Sequence, residues 1–533
     1  MVDSPNTGSD SLTDQVAVTA AQMQQIEAVL FQAGMPVPAL MEKVAGRVAH
    51  WIRAHYPRDR ISAIGFIVGA GHNGGDALVV ARELFHAGYT ILLWCPFDQA
   101  KELTTSHKAY LSYLGVTCTN RGDDLQRCDL IVDGGFGIGL SRPLTGDVAQ
   151  MIETINDWHI PVVSIDVPSG LETDTGAVLG TAIRARHTLC LGLWKLGLLQ
   201  DAALPWVGET HLIPFDIPPS SIHAVIADAP VLRRISADTG RCHLPLQRSM
   251  TAHKYKVGHL LLIAGSRQYV GAALLAGKGA IASGVGMLTV LVPDSLKLTV
   301  VSQLPEALVM GASETESGAI AELPAAILWE KYDVVACGPG LTLQAEALMT
   351  RVLACDRPLV LDADGLNWLA QQSPSEALKR RPAPTLLTPH GGEFRRLFPD
   401  LLDLFPIPSA AAQEAAQRSN CTIILKGAIT AIAHQDGQLW FNPESTPALA
   451  RGGSGDVLAG LVAGLAAQCL MNHQSSDKVF LSAALAAVWW HAQAGRALAT
   501  KQTVLGCPPS ELAQHLLPTL AHLMQVDNSS IGQ

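Results

Sequence analysis

Gly452-Gly453-Ser454-Gly455-Asp456 stands immediately before the apolar, helix-like run Val457-Leu458-Ala459-Gly460-Leu461-Val462. Glycines at a helix N-terminus let backbone N–H groups converge on an anion, and the helix dipole favours negative charge there. A carboxylate at that place is repelled by a resting phosphate. Asp456 makes sense as a base that takes a proton from a hydroxyl attacking the transferred group. An anion hole with a base is what phosphoryl transfer to an alcohol requires. For the pentapeptide alone, a glycine-rich cap with a solvated aspartate is the plain alternative, and the neighbouring motifs decide.

In an open parallel sheet, ligands bind at the carboxyl ends of the strands. In the second half of the chain the polar punctuation falls at those ends: Gly265-Ser266, Gly338-Pro339-Gly340, Asp362-Ala363-Asp364, Thr388-Pro389-His390-Gly391-Gly392-Glu393 and Lys426-Gly427-Ala428. Singly, Asp362 and Asp364 read as turn or cap residues, His390 as a loop histidine and Lys426 as a solvated lysine. Five such loops ahead of one GGSGD loop read as a single site.

The first half has a second set. Gly69-Ala70-Gly71-His72-Asn73-Gly74 satisfies G-x-G-x-x-G between a strand-like and a helix-like run, with Asp98 beyond the next strand, as in a dinucleotide fingerprint. Gly75-Asp76 weakens that reading, because a pyrophosphate there meets a carboxylate. Two more loops follow strands: Asp133-Gly134-Gly135-Phe136-Gly137-Ile138-Gly139-Leu140-Ser141-Arg142-Pro143-Leu144 and Ile165-Asp166-Val167-Pro168-Ser169-Gly170-Leu171. Hydride chemistry leaves the second of these unexplained. Asp133 and the 166–170 stretch also have plain readings as strand-end turns.

The elements that must position these loops alternate between short β-branched runs and helical stretches. In the first half, strands are expected over 61–68, 90–95, 130–132 and 161–167, and helices over 20–31, 39–56 and 77–87. In the second, strands are expected over 259–264, 287–292, 334–336, 358–361, 385–387 and 422–425, with helices over 271–283 and 481–499. This alternation implies parallel sheets covered by helices. The fold class is α/β in two domains, with proline-rich and aperiodic sequence from Ile213 to Pro245 marking the region that joins them.

Composition narrows the function classes. The 533 residues suit two domains; 48% are hydrophobic and 16% charged, which describes a well-buried globular protein. A net charge of −10 without any basic stripe argues against a nucleic-acid partner. The ten cysteines stand singly, with no C-x-x-C pair to suggest a zinc or thioredoxin-like motif. The start of the chain carries acidic residues and no lysine or arginine, unlike a secretory signal. The apolar run 457–470 is shorter than the ~20 residues of a bilayer span. The expectation is a cytoplasmic protein with no membrane partner.

The second half resembles the ribokinase-like superfamily and, within it, the ADP/ATP-dependent NAD(P)H-hydrate dehydratases. The resemblance rests on the loops above together with His253-Lys254, Gly258-His259, Gly271-Ala272-Ala273, Ser283-Gly284-Val285-Gly286, Gly365-Leu366-Asn367 and Gly453-Ser454-Gly455-Asp456-Val457-Leu458-Ala459-Gly460. It implies a substrate that is a reduced nicotinamide nucleotide with water added across one ring double bond, leaving a hydroxyl at C6. Asp456 would be the catalytic base. Ala272, Gly340, His390 and Asp456 would line the hydrate site. Lys426, Gly427, Ala428, Ile429, Thr430 and Gly455 would hold the donor nucleotide, with Mg²⁺ accompanying it.

The first half, from Thr19-Ala20-Ala21-Gln22-Met23 through Leu40-Met41-Glu42 to about Ile217, is similar to the NAD(P)H-hydrate epimerase domain, with His72 where that family usually has asparagine. The resemblance implies a Rossmann-like three-layer fold and a K⁺ ion shared by Asn73, Asp133 and Ser169. Substrate would be gripped by His72, Asn73, Gly74, Gly75 and Asp76 and by Gly137, Ile138, Gly139, Leu140, Ser141, Arg142 and Pro143. Asp166 would both bind substrate and handle protons at C6.

The implied organisation is a disordered or irregular N-terminus over 1–18, an epimerase domain over 19–225, a linker over 226–245 and a dehydratase domain over 246–525. The two together would return both epimers of NADHX and NADPHX to NADH and NADPH. Fused chains of this type resemble bacterial enzymes, which implies ADP as co-substrate, and the family implies a homo-oligomer. The rival reading is a vitamin-type small-molecule kinase joined to a non-catalytic nucleotide-binding or scaffold module.

Overall fold

A computed structural model of the chain describes residues 14–227, 231–404, 407–472 and 478–530. The chain divides into two compact units, Met1–Arg234 and Ile235–Gln533.

In the first unit, seven strands form one sheet: β2 (Ala63–Val68), β3 (Thr90–Trp94), β4 (Thr117–Thr119), β5 (Leu130–Gly134), β6 (Val162–Ile165), β7 (His187–Leu191) and β9 (Glu209–Ile213). Their order is β4-β3-β2-β5-β6-β7-β9 and every pairing is parallel. The chain leaves β2 toward β3 on one side and returns to β5 on the other. The crevice of this doubly wound sheet therefore opens between the loops that follow β2 and β5. Both faces are covered. Ile64, Phe66 and Val68 pack into a core with helices α1 (Ala20–Gln32), α2 (Val37–His55) and α3 (His72–His86), while Ile67 packs into the opposite core with α5 (Gly146–Asp157). That alternation is the two-residue period of a strand, and burial on both sides explains why these strands read as continuous apolar runs. Helix α4 (Glu102–Tyr113) follows β3.

Three short strands make a separate ribbon. β1 (Val16–Val18) runs parallel to β8 (Trp194–Lys195) and antiparallel to β10 (Leu232–Arg234). The expectation of an irregular N-terminus over 1–18 is thus corrected for its last residues: Val16, Ala17 and Val18 are all buried, so β-branched side chains there gain a paired position. Residues 1–13 lie outside the described residues. The stretch 226–245 contains β10 and a helix over Ala237–Cys242.

The second unit is built on a sheet ordered β13-β12-β11-β14-β15-β16-β17-β18-β19. Its strands are β11 (His259–Ile263), β12 (Met287–Pro293), β13 (Leu308–Ala312), β14 (Val334–Cys337), β15 (Leu359–Leu361), β16 (Thr385–Leu387), β17 (Thr422–Leu425), β18 (Thr430–Ala433) and β19 (Leu439–Asn442). Pairing is parallel up to β17 and antiparallel through β18 and β19. The helices that matter for the site are α6 (Val270–Ala282), α7 (Asp364–Leu369), α8 (Gly391–Leu397), α9 (Ser454–Asn472), α10 (Val479–Gln502) and α11 (Pro509–Ser530). Helix α9 is long and apolar enough to cross a membrane on length and composition, but 78% of Ser454–Met471 is buried. Its partner is α6. A Cβ on Gly460 would lie 1.8 Å from the Ala276 carbonyl oxygen, and one on Gly279 would lie 2.2 Å from that of Val457. Only glycine permits this approach, and it seats the Gly453–Asp456 turn beside the sheet.

Candidate functional sites

In the first unit the expected residues converge on a cavity of about 680 Å³. His72, Asn73, Asp76, Gly137, Ile138, Gly139, Leu140, Arg142 and Asp166 line it. Gly74 and Gly75 do not face it; they are buried in the first turn of α3, which begins at His72 and not at Ala77. The reason is steric. A Cβ on Gly74 would sit 1.9 Å from Gly69 O, one on Gly75 would meet the Met41 side chain at 2.8 Å, and one on Gly69 would sit 1.7 Å from Gly135 O. The glycines that ordinarily interrupt a helix here allow its first turn to press against the Gly69 backbone and the Met41 side chain. The first-turn N–H groups of α3, with the positive end of its dipole, accordingly border the cavity. Ser141 and Pro143 are exposed and lie outside the lining.

Asp166 ends β6 in a left-handed conformation, φ +69°. An aspartate held there stores strain of roughly 1–3 kcal/mol, as is common at functional sites. Its carboxylate accepts from Leu191 N at 3.2 Å and pairs with Lys195 Nζ at 2.6 Å. Lys195 is 1% exposed and also donates to the Leu191 carbonyl. Burial, the largest influence, pushes its pKa down, but Asp166, joined by Cys190 and Glu27, more than offsets this and the ammonium is held above its ordinary range. The cavity holds two further carboxyls. Burial, reinforced by Asp166 and Glu27, raises Asp76 well above the usual carboxylate range. Glu27 is raised to about 7, chiefly by burial and against the pull of Lys195. The cavity therefore holds the Lys195–Asp166 pair beside two carboxyls whose burial favours their protonated forms. Burial, followed by Lys101, lowers His72, so its imidazole is neutral.

Behind the cavity wall, Asp133 is fully buried. Its Oδ1 accepts from Gly135 N at 3.1 Å and Ser169 Oγ at 2.6 Å, and its Oδ2 from Ser164 Oγ and Ser169 N, both at 2.8 Å. Ser169 Oγ also accepts from Phe136 N at 2.8 Å. Asn73 donates through Nδ2 to the Phe136 and Ile165 carbonyls at 3.0 and 3.2 Å, and its Oδ1 is buried without a hydrogen-bond partner. An orphaned amide oxygen close to this carboxylate–hydroxyl pair is an unsatisfied acceptor that a hard cation would complete.

In the second unit Asp456 lies in the first turn of α9. Lys426 Nζ pairs with Asp362 Oδ1 at 2.9 Å, and that oxygen also accepts from Thr388 Oγ1 at 2.7 Å. A Cβ on Gly455 would come within 3.3 Å of Lys426 Nζ, which places the ammonium against the glycine turn. The Lys426 N–H bonds to the Pro389 carbonyl at 2.8 Å, tying β17 to the His390 loop. His390 is the N-cap of α8: its Nδ1 accepts from Gly392 N and Glu393 N at 3.0 and 3.4 Å, while Glu393 Oε2 accepts from His390 N at 2.9 Å. With Nδ1 accepting, Nε2 carries the proton and faces Glu393 Oε1 at 3.6 Å. Gly340, at φ +66°, brings its backbone against Tyr269 and Ala272, and the same loop continues to Thr342, whose N–H bonds to Asp364 Oδ2 at 2.9 Å. Gly427 and Ala428 form the exposed turn of the β17–β18 hairpin, Ile429 is buried and Thr430 half-buried.

Burial, then the charges of Asp362, Asp364 and Glu393, raise Asp456 to about 7 against the opposing pull of Lys426. A group poised there can take and return a proton at neutral pH. Burial raises Glu393 as well.

Several participants were not singled out from the sequence. Lys195 and Glu27 are brought to Asp166 only by tertiary folding. Lys195 sits in a Leu-Trp-Lys-Leu run whose one signal was a charge amid apolar neighbours. His491, buried on α10, has Nε2 3.1 Å from the Ser454 carbonyl, and burial drops its pKa to about 4, so a neutral ring braces the start of α9.

Comparison with known proteins agrees on both units. A family model described as NAD(P)H-hydrate dehydratase matches residues 260–518, and one described as YjeF-related protein N-terminus matches residues 37–197. The bifunctional NAD(P)H-hydrate repair enzyme Nnr of Thermosynechococcus vestitus is 53% identical over 504 residues, covering 94% of this chain and 97% of that protein. Its namesake from Synechocystis is 49% identical over 505 residues, 95% of this chain and 94% of that one. Among solved structures, the ADP/ATP-dependent NAD(P)H-hydrate dehydratase of Bacillus subtilis, co-crystallised with ATP and Mg²⁺, is 32% identical with a TM-score of 0.46, covering 54% of this chain and 98% of that one.

Proposed function

The chain belongs to the bifunctional NAD(P)H-hydrate repair enzymes, and on that premise we propose that its first unit exchanges the two C6 epimers of NAD(P)H-hydrate while its second dehydrates the S epimer with ADP. The observation that carries the dehydratase assignment is the carboxyl of Asp456 at the glycine-rich start of α9, raised to about 7 beside Lys426 and Asp362.

Asp456 accepts the proton of the C6 hydroxyl as its oxygen attacks the β-phosphorus of ADP. Lys426 and the Gly453–Gly455 N–H groups stabilise charge on the phosphoryl oxygens, and AMP leaves. The phosphorylated carbon then loses phosphate, driven by the ring nitrogen lone pair; loss of a C5 proton restores the reduced ring. The oxygen of the added water departs in phosphate. Gly427 to Thr430 and Gly455 border the nucleotide, and Ala272, Gly340 and His390 the hydrate. Asp362, Asp364 and Glu393, carboxylates crowded beside Asp456, suit a hard divalent ion such as Mg²⁺, which would neutralise donor phosphate charge.

In the first unit, Lys195 orients the Asp166 carboxylate, which exchanges a proton at the C6 hydroxyl, while Asp76, whose burial favours its protonated form, supplies one as the C6–oxygen or ring bond opens and recloses on the other face. The N-terminus of α3 and Arg142 suit the substrate's phosphates. The orphaned Asn73 Oδ1, with Asp133 and Ser169, fits K⁺, which would hold the 135–140 and 166–170 loops in register. Ten cysteines without a disulfide suit a reducing, cytoplasmic setting.

Product analysis tests the reading. ADP should support faster NADH recovery than ATP and yield AMP and phosphate in equal amounts. Higher kcat/KM with ATP would overturn the donor assignment, and accumulation of a stable phosphorylated nucleotide would overturn the dehydratase.

A further inference from the structure

At the end of the first unit's sheet opposite to Asp166, three side chains form a cluster that neither reaction uses. Strands β7 and β9 run parallel, with His187 opposite Glu209 and Leu189 opposite His211. The two-residue spacing sets Glu209 and His211 on one face of β9, and His187 joins them from β7. His187 Nδ1 and His211 Nε2 lie 3.2 Å apart. Glu209 Oε2 is 3.7 Å from the first nitrogen and Oε1 is 3.9 Å from the second. One ligand atom from each of the three side chains falls within 4.8 Å of the other two.

These separations are those of a coordination shell. Four ligands at ~2.0–2.1 Å from a tetrahedral ion are about 3.3–3.4 Å apart. The three side chains therefore need only small rotations, and Glu209, exposed at its tip, is free to make them. Two imidazoles and one carboxylate with an open position suit zinc-like divalent transition ions; Mg²⁺ and Ca²⁺ prefer all-oxygen shells.

A fourth donor stands nearby. His55, at the end of α2, donates from Nδ1 to the Trp51 carbonyl at 2.9 Å and stacks on the Trp51 ring at 3.8 Å. A backbone carbonyl on one ring nitrogen leaves the other as the lone-pair donor, as is usual around metal-bound histidines. The His55 ring centre is 6.1 Å from that of His211 and 6.4 Å from that of His187. We propose that His187, Glu209 and His211, completed by His55, bind one divalent transition-metal ion of the zinc class and so clamp β9 and the end of α2 onto β7.

The test is calorimetric titration of Zn²⁺ into tag-free, full-length protein, paired with Co²⁺ absorption spectroscopy and thermal unfolding. The parent protein should bind one Zn²⁺ per chain with a raised unfolding temperature, and Co²⁺ should give the intense visible bands of a tetrahedral site. The double variant His187→Ala/His211→Ala should lose both signals. Should that variant fail to fold, the exposed Glu209→Gln keeps the test open and should weaken Zn²⁺ binding at least about tenfold. Both enzymatic activities should be unchanged in Glu209→Gln. Absence of a one-to-one isotherm in the parent, or an isotherm left intact in Glu209→Gln and His211→Gln, would overturn the proposal.

Discussion

Lys195→Met removes the cation from the buried pair at the base of the epimerase cavity and keeps a flexible, unbranched chain of similar length. Lys195 is 1% exposed and 2.6 Å from Asp166. Breaking such a pair by deleting one partner costs about 3–5 kcal/mol, because the survivor is left uncompensated. Asp166 borders the cavity, where water can reach the stranded carboxylate, so about 3 kcal/mol is the expected loss. A domain stable by roughly 5–15 kcal/mol tolerates this at room temperature. The catalytic consequence is larger. Without Lys195 the Asp166 carboxylate is no longer held in place to exchange a proton with the hydrate, and loss of a general base lowers a rate about 10²–10⁴-fold. Mixed epimers supplied with ADP and Mg²⁺ and followed by reduced-nicotinamide absorbance should give a burst at parental speed, set by the intact second unit, and then a tail at the spontaneous exchange rate. Asp166→Ala should give the same trace. If Lys195→Met drains both epimers as fast as the parent while folded, the Lys195–Asp166 pair is structural and the proton chemistry lies elsewhere in the cavity.

Asp456→Asn should abolish nucleotide-dependent recovery while epimer exchange, read by chromatography of the two epimers, continues. The parent's dehydratase kcat/KM should rise with pH through about 7, where Asp456 ionises. Because its folded pKa lies above the unfolded value, that carboxyl favours the fold at low pH and loses this contribution as pH rises through about 7. Asp456→Asn should therefore gain stability relative to the parent as pH rises from about 4 to about 7, and hold that gain above it, in urea unfolding; an offset independent of pH contradicts the shift. Asn73→Leu should remove any acceleration of epimer exchange by K⁺ over Na⁺, and a persisting K⁺ effect places the cation elsewhere. Gly460→Ala, which sets a Cβ 1.8 Å from the Ala276 carbonyl oxygen, should destabilise the second unit by about 3 kcal/mol or more in chemical denaturation.

Much of this was readable before any coordinates. The β-branched runs at 63–68 and 422–425 are strands because both their faces are buried, and the loops after them carry chemistry because a parallel sheet presents its carboxyl ends together. Asp456, Lys426 and Asp362 were legible for that reason. The start of α3 was not: Gly74 and Gly75 read as helix breakers, and only the approach of Gly69 and Met41 shows why a helix needs them. Strand β9 ends at Ile213, where the proline-rich stretch begins, and His187 comes from a different strand, so the His187–Glu209–His211 cluster had no local signature. Lys195 was hidden likewise, since a lysine in an apolar run gains meaning only from the aspartate that folding sets against it.

The central claim is that one chain restores both epimers through two different sites. Equilibrated R and S hydrate, limiting protein and excess ADP with Mg²⁺ provide the direct test, with NADH, AMP and phosphate quantified together to completion. The account predicts recovery of all the hydrate as NADH, with one AMP and one phosphate per molecule and no burst-and-stall. Recovery that stops at the S fraction, or phosphate lagging behind AMP through a stable phosphorylated product, would contradict it.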